Sequence, residues 1–314
     1  MPQQLAVFFP GQGSQALGML DALAATYPSV RQTFEEASDA LGQDLWQLVS
    51  SGPEDALNRT ENTQPAMLAA GIAVWRVWRQ AGGAPATVMA GHSLGEYSAL
   101  VAAEALGFAD GVRLAAERGR LMQAAVPPGE GSMAALLGLD DDTVIALCAE
   151  QAGGEVLEAV NFNSPGQVVI AGASAAVARA VEAAKAAGAK RAVQLPVSVP
   201  SHCALMRPAA EQLAERLAEL DLSLPQVPVL HNVNVAPAAD VAELRDLLVQ
   251  QLYRPVRWVE TVRKVAGDGV PAAIESGPGK VLAGLCKRID RNMTTLSVFD
   301  PKTLDAALEA TANA

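Results

Sequence analysis

The chain has 314 residues, half of them hydrophobic and 18% charged, which is enough for one large or two smaller domains and excludes intrinsic disorder. Aromatics make up only 4%, so the apolar content is mostly Ala, Val and Leu, a composition suited to helices packed on a buried sheet. The net charge of −11 argues against nucleic acid or an anionic membrane as partner, and any acidic ligand must find a local basic patch.

In chain order, Leu5–Phe9 is a short apolar run stopped by Pro10-Gly11 and predicts a buried strand. Helical patterns follow near 15–26, 28–41 and 64–81. Thr87–Ala90 predicts a second buried strand, and a long helical pattern begins near Gly95. Pro127-Pro128-Gly129 marks a boundary. Beyond it the pattern predicts a strand at Met133–Leu137, a helix at Asp140–Gln151 and strands at Val156–Asn161 and Gln167–Ala171. A helix at Ser174–Ala187 and a strand at Arg191–Leu195 complete the βαββαβ order of a ferredoxin-like unit. After Pro200 come a helix at Met206–Leu220, a strand at Val227–Leu230, and helices at Asp240–Leu252 and Trp258–Ala266. A strand at Ala272–Glu275, a helix from Lys280 to about Ile289 and an Ala-rich helical end at 306–314 follow. Continuous apolar strands alternating with helices predict an α/β fold with a mostly parallel sheet flanked by helices. The expected division is a large subdomain of 1–126 and 198–314 with a small ferredoxin-like subdomain, 127–197, inserted.

No run of about 20 apolar residues predicts a membrane span, and the N-terminus lacks the basic start of a signal peptide. Three Cys without CxxC spacing and three His without HExxH spacing predict neither disulfides nor a metal site, and the expected compartment is the cytoplasm.

Gly91-His92-Ser93-Leu94-Gly95 is GxSxG, placed between a predicted strand and a predicted helix. A tight strand-to-helix turn of this kind lifts the Ser93 hydroxyl off the sheet as a nucleophile. The Leu94 N–H then sits at a helix N-terminus, where it can bind an oxyanion. A nucleophilic Ser needs a base. His202, in the loop where the inserted unit returns to the large one, fits better than His231, which reads as a structural residue. No acid between Ser93 and His202 stands out as a third triad member, so a backbone carbonyl or an amide side chain is the alternative orienting group. Gly11-Gln12-Gly13-Ser14-Gln15-Ala16 fits a loose dinucleotide fingerprint, but no acid ends a second strand about 20 residues on. The Gln12 N–H as second oxyanion donor is the better reading. Arg118 reads either as a solvated helix residue or, beside the small Ala115 and Gly119, as a guanidinium lying in a cleft.

Six segments in order carry a resemblance over nearly the whole chain: Phe9-Pro-Gly-Gln-Gly-Ser-Gln15, Gly91-His-Ser-Leu-Gly-Glu-Tyr-Ser98, Asn161-Phe-Asn-Ser-Pro-Gly-Gln167, Val199-Pro-Ser-His-Cys-Ala-Leu-Met206, Gln251-Leu-Tyr-Arg-Pro-Val-Arg-Trp258 and Glu275-Ser-Gly-Pro-Gly279. Together they resemble the malonyl-CoA:acyl carrier protein transacylases of type II fatty acid synthesis. The resemblance implies a hydrolase-like α/β core with a ferredoxin-like insert. It implies Ser93 as acyl carrier, His202 as base, Arg118 as partner of the malonyl carboxylate, and Gln12 and Leu94 as the oxyanion hole. It also implies that the main-chain carbonyl of Gln251 orients His202. No cofactor is implied, since both substrates, malonyl-CoA and the phosphopantetheine-bearing acyl carrier protein, bring their own chemistry. A monomer is expected.

Two other readings share the nucleophile: a serine hydrolase or thioesterase, and an acyltransferase of a polyketide pathway. A non-catalytic carrier-binding scaffold would leave the Ser93 turn without purpose. For docking an acidic carrier protein, Lys280, Lys287, Arg288 and Arg291 fall along one side of the predicted helix from Lys280, with Val281, Leu282, Leu285 and Ile289 facing the core. The plain alternative is that these cations suit the helix C-terminus.

Overall fold

A computed structural model describes residues 4–197 and 199–312. The expected boundary at 198 and the last two residues of the helical end at 306–314 lie outside the described residues. Along the chain the elements are β1 (Leu5–Phe9), α1 (Asp21–Thr26), α2 (Ser29–Leu41), α3 (Leu45–Ser51), α4 (Glu54–Leu57), α5 (Thr60–Gln80), β2 (Val88–Gly91), α6 (Gly95–Ala102) and α7 (Phe108–Ala124). Then come β3 (Gly131–Leu137), α8 (Asp141–Gln151), β4 (Leu157–Ser164), β5 (Gln167–Ala173), α9 (Ser174–Ala186) and β6 (Arg191–Gln194). The chain closes with α10 (Arg207–Glu219), β7 (Val229–Leu230), α11 (Val241–Gln251), α12 (Trp258–Gly267), β8 (Ala272–Ser276), α13 (Val281–Ile289), β9 (Thr294–Val298) and α14 (Pro301–Ala312).

Strand β1 runs through the middle of a five-stranded sheet of order β7-β2-β1-β8-β9, with parallel pairing throughout. Its side chains alternate between two cores. Leu5, Val7 and Phe9 join the cluster beneath α2, α5 and α7, while Ala6 and Phe8 join the one beneath α12 and α13. Burial on both faces is why β1 reads as an unbroken apolar run.

A second, antiparallel sheet has the order β4-β5-β3-β6. With α8 and α9 on one face, its βαββαβ connectivity is ferredoxin-like. Ala134, Leu136, Val168 and Ile170 pack in the cluster that includes α8 and α9 residues. Met133, Val169 and Ala171 point the other way, toward Cys203. The period of two aims one row of side chains at the helices and the other toward the loop that carries His202.

Several details differ from the sequence reading, among them the short helix α4 and the break of the long pattern from Gly95 into α6 and α7. The stretch before Asp21 is not helical, because Gly18 and Leu20 adopt left-handed φ values of 75° and 67°. Helix α3 was not anticipated, although Asp44 caps it by accepting the Gln47 N–H at 2.8 Å. Helix α5 starts a turn earlier than expected, with Pro65 inside it. Strand β9, a mixed polar edge strand, carried too weak a pattern to be read.

Candidate active site

The C-terminal ends of β1 and β2 open on one crevice, where ligands of parallel sheets usually bind. Strand β2 ends at Gly91, and within two residues the chain must enter α6. Ser93 makes that turn with φ 53°, a left-handed conformation rare for a side-chain-bearing residue. The glycines around it are required by space. A Cβ on Gly91 would lie 1.8 Å from the Gly95 carbonyl carbon, and one on Gly95 would lie 2.0 Å from the Phe9 carbonyl oxygen.

The turn presents Ser93 Oγ to His202 Nε2 at 2.7 Å. His202 has φ 66° and is buried, and its backbone N–H donates to the Leu252 carbonyl at 2.9 Å. Its Nδ1 lies 2.7 Å from the Gln251 carbonyl oxygen. A carbonyl oxygen only accepts, so Nδ1 carries the proton and Nε2 faces the Ser93 hydroxyl with its lone pair. Burial, and then the nearby Arg118 cation, lower the His202 pKa to about 3. The imidazole is therefore neutral at physiological pH and available to accept a proton.

Arg118, on α7, is 1% exposed. Its Nη1 donates to Gln64 Oε1 at 2.8 Å, and its Nη2 to Gln251 Oε1 at 3.0 Å and to Ser93 Oγ at 3.3 Å. The face of the Tyr97 ring lies 5.2 Å from its Cζ. Among the described residues it forms no ion pair. Of the two sequence readings the cleft one describes its position, and the neighbouring Gly119 lets α7 pack closely on the start of α5, since a Cβ there would meet the Thr60 carbonyl oxygen at 2.6 Å. Burial lowers its pKa from the ordinary guanidinium value. A buried cation whose hydrogen-bond partners are all neutral is a place that favours an incoming anion.

Gln12, Gln64, Leu94 and Asn161 line the same cavity of about 130 Å³. The small sheet and the following loop add an apolar wall of Met133, Leu195, Val197 and Val199, faced by Met122. Five of the anticipated residues, Gln12, Ser93, Leu94, Arg118 and His202, thus line one cavity, and Gln251 lies directly behind His202 and Arg118. No group of three or more His, Cys, Asp or Glu among the described residues could hold a metal.

His231 lies outside the cavity. It is buried, with Nδ1 paired to Glu96 Oε1 at 2.8 Å. Cys203 follows His202, yet its Sγ donates to the Pro200 carbonyl at 3.1 Å, and burial pushes its thiol pKa up to about 12.

The four docking cations are not on one helix. Helix α13 spans Val281–Ile289, so Lys280 precedes it and Arg291 follows the extended residue Asp290. Lys287 and Arg288 share its exposed last turn, and Arg288 Nη1 donates to Gln167 Oε1 of β5 at 2.9 Å. Val281, expected in the core, is 48% exposed because the helix enters from the Gly277-Pro278-Gly279 turn with Leu282 and Leu285 inward.

Sequence reasoning missed Gln64, whose only signal was an amide in the first turns of a long helix. It also missed Asn232, whose side chain accepts the Ser93 N–H and donates to the Gly91 carbonyl. His92, paired through Nε2 with Asn163 Oδ1 at 2.7 Å, links the turn to β4 of the small sheet.

Residues 7–296 match the acyl transferase domain family. The chain is 57% identical to the malonyl CoA-acyl carrier protein transacylase of Salmonella typhimurium, over 97% of this chain and 99% of that protein. It is 44% identical to the transacylase of the same name from Bacillus subtilis, over 98% of this chain and 96% of that one. Among solved structures it is similar to an acyl carrier protein S-malonyltransferase from Vibrio cholerae, with a TM-score of 0.95 and 56% identity over 97% of this chain and 99% of that one. It is also similar to a malonyl-transacylase solved in complex with its type II PKS acyl-carrier protein, with a TM-score of 0.97 and 54% identity over 98% of this chain and 100% of that one.

Proposed function

This chain belongs to the acyl transferase family and, within it, to the malonyl CoA-acyl carrier protein transacylases, and from that premise we propose that it moves the malonyl group from malonyl-CoA to the phosphopantetheine thiol of an acyl carrier protein through an ester on Ser93. The observation that carries the reading is the line from Gln251 O through His202 to Ser93 Oγ, set beside a buried Arg118 that forms no ion pair among the described residues.

In the first half-reaction Ser93 Oγ attacks the thioester carbonyl while His202 Nε2 takes the hydroxyl proton. The N–H groups of Gln12 and Leu94 hold the oxyanion. As the tetrahedral intermediate collapses, the C–S bond breaks and His202 returns the proton to the departing CoA sulfur. In the second half-reaction the carrier's thiol attacks the ester, His202 takes the thiol proton, and the proton passes to the Ser93 oxygen as the ester bond breaks. One base serves both directions, which gives ping-pong kinetics. A thioester is made for each one broken, so the exchange calls for no cofactor, metal or ATP.

The Gln251 carbonyl fills the orienting place of a triad acid. Arg118 takes the malonyl carboxylate with its planar fork, which suits bidentate pairing. The bound carboxylate also offsets one of the charges that depress the His202 pKa, so the intended substrate strengthens its own base. The working unit in this reading is a monomer.

Residues 1–126 and 198–314 form the catalytic subdomain in this reading and 127–197 the small one. The division is supported by the separate hydrophobic cluster between the second sheet and its helices. The cations Lys280, Lys287, Arg288 and Arg291 receive the acidic carrier. No helix among the described residues is long and apolar enough to cross a membrane. Three buried, unpaired cysteines suit a reducing cytoplasm.

The test is intact mass after mixing with malonyl-CoA. A malonyl adduct at Ser93 that persists in buffer and is discharged by the thiol of an acyl carrier protein is expected. Rapid loss as free malonate would make the protein a hydrolase.

A further inference from the structure

We propose that Asn232 is the positioning residue of the Ser93 turn, anchored by Glu96 and His231, and that it sets the rate of acyl-enzyme formation and not the affinity for the thioester. The proposal rests on Ser93 being the nucleophile.

Ser93 holds a left-handed φ of 53° without the freedom of glycine. Such a conformation persists only where the surroundings impose it. The amides that open a helix lack partners within it, so the Ser93 N–H, just ahead of α6, needs an acceptor from elsewhere. The Asn232 side chain supplies that acceptor. Its Oδ1 takes the Ser93 N–H at 2.8 Å, and its Nδ2 donates to the Gly91 carbonyl at 2.7 Å. One amide therefore clamps the chain on both sides of His92, at the end of β2 and at the nucleophile itself.

Asn232 is held in turn. Glu96 Oε2 accepts the Asn232 backbone N–H at 2.7 Å, and Glu96 Oε1 pairs with His231 Nδ1 at 2.8 Å. Glu96 belongs to the first turn of α6, so the connections close a ring from Ser93 to Asn232, to Glu96 and back along the helix. Glu96, His231 and Asn232 are all 0% exposed. Buried polar groups are costly unless their bonds are made, and although His231 Nε2 has no partner among the described residues, the bonds that join Ser93, Asn232 and Glu96 hold them in one arrangement.

The ring has two consequences for the chemistry. It occupies the Ser93 N–H, leaving the next amide, that of Leu94, as the turn's donor to an oxyanion. It also fixes the direction of Ser93 Oγ toward His202 Nε2. Without the clamp Ser93 can relax toward right-handed helix and carry its hydroxyl off that line. A misplacement of about 1 Å costs on the order of a hundredfold in rate.

The test is single-turnover malonylation with excess malonyl-CoA, followed by intact mass, in wild type, Asn232→Ala and Asn232→Asp. For Asn232→Ala the rate constant is expected to fall about a hundredfold, with the final labelled fraction complete and the half-saturating malonyl-CoA concentration within about threefold of wild type. A purely structural role would lower the labelled fraction and leave the rate constant of the folded molecules unchanged, and that result overturns the proposal. If Asn232→Ala does not fold, the isosteric Asn232→Asp decides. It keeps the acceptor for Ser93 N–H but loses the donor to Gly91, so slowing of at least about tenfold at full amplitude is expected, and a wild-type rate overturns the proposal. Failure of wild type to label Ser93 would overturn the reading of the enzyme itself, a different outcome from a fast Asn232 variant.

Discussion

The two sheets of this protein solve different problems. The parallel sheet is covered on both faces, and its central strand is fully buried along its length. Its strand β2 leads straight into Ser93 in a left-handed turn, and the other left-handed residue of the site, His202, lies in the loop that returns from the antiparallel sheet. The antiparallel sheet is covered by helices on one face, has an exposed edge in β6, and offers its other row of side chains to the cleft as an apolar wall. The nucleophile's turn stands on the doubly covered sheet, while part of the wall that shapes the cleft comes from the sheet covered on one face.

The sharpest way to break this contrast is at the turn itself. Ser93→Ala is expected to abolish acyl-enzyme formation and to reduce turnover by roughly five to six orders of magnitude, measured by intact mass and steady-state rate. Covalent labelling that survives and maps to Cys203 would refute the assignment.

Arg118→Ala is expected to cost malonyl-CoA about 3–5 kcal/mol in kcat/KM, a hundred- to several-thousand-fold, because the carboxylate then sits unpaired in a buried site. Acetyl-CoA carries no such charge and should be spared or improved, and Arg118→Lys should rescue only in part. Equal losses for the two thioesters would give Arg118 a general structural role.

The two regions also differ in what a lost side chain costs. Phe8, buried in β1, should cost about 3–5 kcal/mol of stability when replaced by Ala. Ile145, 49% exposed on α8 of the small sheet's layer, should change stability by no more than about 0.5 kcal/mol. Urea unfolding of both variants gives the comparison, and similar losses would erase it.

The pH profile sharpens the electrostatic side. In the proposed mechanism activity needs neutral His202 and is lost as pH falls through its pKa, so a depressed pKa is expected to move the acid limb of kcat/KM below 6.5. Arg118→Ala removes the second cause of that depression and should shift the limb upward, with burial still holding it under the ordinary value. An acid limb centred at 6.5 in wild type would contradict this.

The smallest effect is expected at the surface. Lys287→Glu with Arg288→Glu should raise KM for the carrier protein by about two- to tenfold and leave malonyl-CoA kinetics unchanged. No change in carrier KM would move the docking face elsewhere.

Much of this was legible in the sequence because it is local. Buried parallel strands write continuous apolar runs, so β1 was found residue for residue. The turn at Ser93 needs small residues at Gly91 and Gly95, which sequence displays directly, and the six ordered segments carried the family and its residues. The tertiary structure alone brought Gln64, Asn232 and Glu96 to the site. Their amide and carboxyl groups resemble any surface residue in sequence, and only folding buries them and gives them partners 54, 139 and 136 positions away. It also decided that Arg118 is a buried cation and not a solvated one, and that α13 ends before Arg291. Desolvation and helix termination depend on what packs around a residue, and neighbours distant in the chain leave no periodic trace.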